Sequence, residues 1–135
     1  MSDVVAPLDA SAGYDDVRDL ARCIADQAAA DDPDRLTTAI RKASRVDRIF
    51  LDVNRNGYAQ TFIAPYSLRS RPGAPVATPL GWSELGKAKP GGFDPSRLRR
   101  RLAQRADPWR GIEEHAGAST TAIEELEKLR RGGSD

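Results

Sequence analysis

The chain has 135 residues, 39% hydrophobic and 30% charged, with a net charge of +1, one cysteine and one histidine. That length suits one domain with a modest core, and no window approaches the ~18 consecutive apolar residues of a membrane span. A single Cys23 excludes an internal disulfide or a cysteine metal cluster, and a single His115 excludes a histidine-rich site. The N-terminal "MSDVVAPLDAS" has neither a basic start nor a long apolar region, so the sequence reads as a cytoplasmic protein without a signal peptide.

The elements follow in order. "DVVAPL" (3–8) reads as a short strand stopped by Pro7. From 11 to about 30 the spacing of Tyr14, Val17, Leu20, Ala21, Ile24 and Ala28 predicts an amphipathic helix. Ser11 is its expected cap, and Asp15 and Asp16 sit early, where the helix dipole favours acids. Cys23 falls on the apolar side and is expected to pack. "DRLTTAIRKAS" (34–44) reads as a short helix or turn, and "RIFLD" (48–52) as a strand. "NRNG" (54–57) is turn chemistry, so "AQTFIAP" (59–65) is expected to return as the second arm of a hairpin. "YSLRSRPGAPVATP" is a proline-restricted loop, and "GWSELGK" (81–87) a helical turn. Two Asp-Pro starts open helices at 94–107 and 107–116, and "STTAIEELEKLRR" (119–131) forms a polar amphipathic helix. The fold class is α+β (mixed α/β): a few-stranded antiparallel or mixed sheet flanked by helices. Residues 1–86 are expected to form a core and 87–135 a C-terminal helical segment of the same domain.

Charge is unevenly laid out. Residues 1–35 hold nine acids and three bases, a balance of −6, whereas 40–71 hold seven bases and two acids, a balance of +5. A phosphate-rich partner suits the middle segment, although solvated loops are often basic too. Within it Asp52 ends the "RIFLD" strand among Arg45, Arg48, Arg55, Arg69 and Arg71. Read from the residues alone, Asp52 is either a strand-end carboxylate accepting bonds from "NRNG" or a metal ligand. Arg69 and Arg71 are likewise either solvated loop charge or phosphate ligands. "RLRRR" (97–101) spreads around its helix as a solvated face. Trp82 and Trp109 are expected as packing anchors rather than base-stacking platforms.

The stretch "FLDVNRN…TFIAPYSLRSRPGAPVATPLGW" resembles the polymerase (primase-like) domain of bacterial ATP-dependent DNA ligase D, of the archaeo-eukaryotic primase superfamily. The similarity runs from "VVAPLDASAGYDDVRDLAR" through "DPDRLTTAIRKASR" to "DPWRGI". It implies nucleotidyl transfer at DNA ends in non-homologous end joining, with a divalent metal (Mn or Mg) and nucleoside triphosphates. By position it makes Asp52 the aspartate of the third catalytic motif, a metal ligand. Arg45, Arg55, Arg69 and Arg71 fall at positions that face the incoming nucleotide's phosphates or nearby groups, a task suited to arginine forks.

The family's first motif, an Asp-x-Asp pair, and its second, a Ser/His run, are not in this sequence, and Asp3 stands where the family has histidine. Two-metal catalysis needs several carboxylates around metals ~3.5–4 Å apart, and one aspartate cannot hold both. The expectation is therefore an incomplete or inactive polymerase fragment. A separate N-terminal half, a ligase or a Ku-type protein are the candidate partners. The alternatives are a non-catalytic module binding nucleotides or DNA-end phosphates, or a degenerate remnant with exposed apolar surface.

Overall fold

The structure, a computed structural model, describes residues 3–132. It has three α-helices, α1 (Tyr14–Asp31), α2 (Pro95–Gln104) and α3 (Ser119–Gly132), and two short strands, β1 (Leu36–Thr37) and β2 (Ile49–Phe50). Short 3-10 turns occupy Lys42–Ser44, Trp82–Glu84 and Ile112–His115. The class is mixed α+β, as expected. The chain packs as two compact units, one of Met1–Pro7 with Phe62–His115 and one of Leu8–Thr61 with Ala116–Asp135.

The second of these contains α1, the strands and α3. Its helix α1 begins at Tyr14 rather than nearer Ser11, with Gly13 as N-cap, and the Asp16 carboxylate accepts the Gly13 N–H at 3.3 Å. Ser11 is thus not the cap. Its hydroxyl lies 2.9 Å from that of Ser119 at the start of α3. Ser119 is fully buried, and its Oγ accepts the Ala12 N–H at 3.0 Å. Asp9 caps α3 from a distance in sequence, its Oδ1 accepting the Ser119 N–H at 2.9 Å. Hydrogen bonds from Ser11 and Ser119 hold the Asp9 carboxyl down at about 2. The inward face of α1 centres on Leu20 and Ala25, the buried pair, while Tyr14 and Ile24 from the expected apolar stripe are exposed. Tyr14 nevertheless meets Tyr58 edge-on at 5.7 Å.

The expected hairpin after "RIFLD" does not form. β2 instead pairs in parallel with β1, in register Leu36↔Ile49 and Thr37↔Phe50. The turn chemistry was read correctly: Asn56 N–H donates to the Val53 carbonyl at 3.1 Å. The return arm fails because Ala59 takes a left-handed φ of 56°, which breaks an extended run, and because Phe62 onward belongs to the other unit. The N-terminal "DVVAPL" is not a strand either. Leu8 makes only an isolated bridge to Gly117; Pro7 has no N–H to extend it.

In the first unit, "YSLRSRPGAPVATP" folds as a tight irregular hairpin. Tyr66 N–H donates to Ala77 O at 2.7 Å, Ala77 N–H to Ser67 O at 2.9 Å, and Arg69 N–H to Pro75 O at 2.8 Å. At its tip Gly73 has φ 80°, a conformation in which a Cβ is disfavoured. Val76, buried, donates its N–H to Phe93 O at 2.7 Å. Helix α2 starts as the sequence predicts, with Pro95 in its first turn and the Asp94 carboxylate accepting Arg97 N–H at 2.9 Å. It buries Leu98. The helix expected at 107–116 is reduced to a capped turn and the 3-10 segment, because Gly111 turns the chain at φ 72°.

Candidate functional site

The site residues expected from sequence fall in both units. Asp52, Arg45 and Arg55 lie in the unit built on α1, and Arg69 and Arg71 in the unit built on α2.

Asp52 follows β2 and is exposed. Its Oδ1 accepts the Asn54 N–H at 3.1 Å and the Asn54 side-chain N–H at 3.0 Å, an Asx-type turn that closes locally. Among the described residues no group of three or more His, Cys, Asp or Glu side chains is placed to hold a cation. A lone carboxylate already bonded to its own turn does not fit a two-metal centre, which needs several carboxylates.

Arg45 is committed to the fold. Its Nε donates to Ala39 O at 3.0 Å and its Nη2 to Ile40 O at 2.7 Å, and the guanidinium carbon lies 3.7 Å from the Phe50 ring centroid. Arg48 makes a similar staple, with Nη2 donating to Ser44 O at 2.8 Å. Between them Val46 adopts φ 51° while exposed to solvent, a strained setting for a β-branched residue. Arg55 is exposed, with one long bond of 3.3 Å to Gln60 Oε1.

Arg69 and Arg71 line a cleft of about 720 Å³ in their unit, together with Lys89, Trp82, Trp109 and Phe93. Arg69 faces Asp3 at 3.6 Å. Arg71 and Lys89 make no side-chain ion pair among the described residues.

The cleft wall is braced by contacts the sequence reading missed. Tyr66, itself left-handed at φ 65°, donates its hydroxyl to Asp107 Oδ1. Burial, then this bond, raises the Tyr66 pKa, and the same bond lowers that of Asp107. Asp107 Oδ1 also accepts the Trp109 N–H at 2.9 Å.

Glu84 receives a two-pronged ion pair from Arg101, with Nη2 to Oε2 at 2.7 Å, and its Oε2 accepts the Gly81 N–H at 2.9 Å. The Arg101 bonds, then that backbone bond, hold the Glu84 carboxyl down at about 2. Arg101 therefore departs from the solvated face expected of "RLRRR", with 10% of its side chain exposed. Trp82 is 77% exposed, so it is not the packing anchor expected. Only the "GWSEL" spacing, which puts Glu84 three residues after Gly81, hinted at this brace.

The chain is thus a mixed α+β fold in which the cations Arg71 and Lys89 line the same cleft as the rings of Trp82, Trp109 and Phe93. Residues 2–109 match the profile of the "LigD, primase-polymerase domain". The Multifunctional non-homologous end joining protein LigD of Pseudomonas aeruginosa is 34% identical over 111 residues, 78% of this chain and 13% of the relative. Its namesake in Mycolicibacterium smegmatis is 42% identical over 66 residues, 49% of this chain and 9% of the relative. That of Mycobacterium tuberculosis strain H37Rv is 42% identical over 53 residues, 39% of this chain and 7% of the relative. The chain belongs to the LigD primase-polymerase family. It spans no more than 13% of the length of these relatives.

Proposed function

We propose that this chain supplies the phosphate-binding part of a nucleotidyl-transfer domain acting at DNA ends in non-homologous end joining. One observation carries the reading. The "YSLRSRPGAPVATP" hairpin, closed by its own backbone bonds, sets Arg69 and Arg71 on the wall of a cleft, and Arg71 has no ion-pair partner among the described residues. Arginine forks match the oxygens of a nucleotide's phosphates or of a DNA-end phosphate. Membership in the family supports the repair setting.

Asp52 stands at the family's third-motif position, where a divalent metal, Mn or Mg, assists phosphoryl transfer when bound. The described residues do not themselves complete that centre, so transfer chemistry calls for further carboxylates. A separate N-terminal half, a ligase or a Ku-type protein remains the proposed company of this chain. Arg55, exposed beside the Asp52 turn, is proposed as a phosphate contact within its own unit. Arg45 serves the same region by holding the segment before β2.

The second reading, a binding module without catalysis, is favoured by the same lack of a carboxylate cluster among the described residues. A titration with a nucleoside triphosphate, with Mn²⁺ or with EDTA, separates the two. Binding that persists in EDTA and in Asp52→Ala, but weakens in Arg71→Glu, supports the arginine-based binding module. Binding that requires Mn²⁺ and disappears in Asp52→Ala shows an assembled metal site and overturns it.

A further inference from the structure

We propose that Trp82 is a stacking platform for a nucleobase whose phosphate is held by Arg71 and Lys89 in the same cleft; this rests on the phosphate-binding role of the arginines.

The indole is the largest side chain in the protein to be left almost wholly in water, at 77% exposure. Solvated Trp is unusual, because its wide apolar face gains by being covered. The backbone that carries it is braced. Trp82 opens the 3-10 turn Trp82–Glu84, and Glu84 locks that turn by accepting the Gly81 N–H at 2.9 Å while gripping Arg101. A ring carried on a braced turn leaves less backbone freedom to lose on binding than one on a loose loop.

The remaining cleft supplies the complementary chemistry. Its volume, about 720 Å³, is of the size that takes a nucleotide. Trp109 and Phe93 add further rings to its lining, and Arg71 and Lys89 are cations without ion-pair partners among the described residues. A flat aromatic face and free cations lining one cleft suit a ligand that carries both a π-system and a phosphate, the combination on which single-stranded nucleic acid binding is built. An acidic or apolar peptide would use one half of that surface and leave the other unmatched.

The base can come from a free nucleoside triphosphate or from a strand of single-stranded DNA. Calorimetry with tripolyphosphate and with a nucleoside triphosphate, and anisotropy with a short labelled oligothymidylate, compare the sources in the wild type, Trp82→Ala, Trp82→Phe and Arg71→Glu. Circular dichroism and sedimentation check that each variant stays folded and in the same oligomeric state. Stacking predicts that the base-bearing ligand binds more tightly than tripolyphosphate. It predicts that Trp82→Ala weakens that ligand roughly 10-fold, leaves tripolyphosphate unchanged, and is largely rescued by phenylalanine. Whichever base-bearing ligand responds to Trp82 is the source. Equal binding of all three ligands in wild type and Trp82→Ala sinks the stacking role; if Arg71→Glu still weakens them, the phosphate reading survives alone. Binding of none, or burial of Trp82 in a self-associated species that Trp82→Ala dissolves, overturns the proposal.

Discussion

Glu84 is the residue that ties the Trp82–Glu84 turn to helix α2, through Arg101 and the Gly81 N–H. Its carboxylate is only 20% exposed and that of its partner guanidinium on Arg101 only 10%, so solvent screens the pair weakly. Removing the acid leaves a largely buried arginine without its counter-ion, and Glu84→Ala is expected to cost ~2 kcal/mol, read as a lowered urea midpoint. The pH dependence follows from the same contacts. The Arg101 guanidinium and the Gly81 N–H hold the folded carboxyl down at about 2, well below the ordinary glutamate range. A depressed carboxyl contributes stability that is fully present above its unfolded value and is lost as pH falls toward the folded one. Denaturant melts should therefore show stability falling between roughly pH 4.5 and 2, with a shallower fall in Glu84→Gln. Val46 tests the opposite sign. Its φ of 51° and its exposed side chain mean strain with little packing to lose, so Val46→Gly should stabilise by ~1 kcal/mol. A drop in stability would show that its side chain packs. Neither residue was singled out from sequence. Glu84 looked like any acid in a helical turn, because its partner Arg101 lies on a different element; a left-handed valine leaves no mark in composition or spacing.

Elements defined by local chemistry were the ones read well. Helix α2 begins where Asp94-Pro95 said it would, because the cap acceptor and the missing proline N–H both act within one turn. Asp94→Ala should cost ~1 kcal/mol, visible as a lower melting temperature. Helix α3 was also legible from its amphipathic pattern, but its real cap was not. Asp9 and Ser11, more than a hundred residues earlier, close its N-terminus, Asp9 Oδ1 accepting the Ser119 N–H and Ser11 Oγ the Thr120 N–H. Ser119→Ala removes the acceptor for the Ala12 N–H inside a fully buried site and is expected to cost ~2 kcal/mol. Hydrogen exchange at the first turn of α3 should rise with it. β2 was seen in "RIFLD", but its partner was assigned to the wrong side. A strand's own residues state that it wants a neighbour, while the choice between 36–37 and 59–65 depends on where the chain goes after Thr61.

At the scale of the whole molecule the core is thin. Among the described residues the buried hydrophobic side chains are Leu20 and Ala25 in one unit and Val76 and Leu98 in the other, while Phe62, Leu68, Trp82 and Ile49 stay exposed. Hydrophobic burial is the main stabilising term, so marginal stability is expected. A phosphate ligand well above its Kd should raise the melting temperature, the stabilisation growing as the logarithm of its concentration over Kd; no shift with nucleoside triphosphate, oligonucleotide or tripolyphosphate would count against an anion-binding role. The sequence by itself determined the family, the mixed α+β class and the start of α2, and it put forward Asp52, Arg45, Arg55, Arg69 and Arg71 as candidates, because these rest on local chemistry and on a long, idiosyncratic block of residues. Only the tertiary structure decided that Arg45 is spent on backbone carbonyls and Phe50, that Arg101 grips Glu84, and that Trp82 faces water. Each of those outcomes turns on which distant groups come within hydrogen-bonding or packing reach, and a one-dimensional pattern carries no distances.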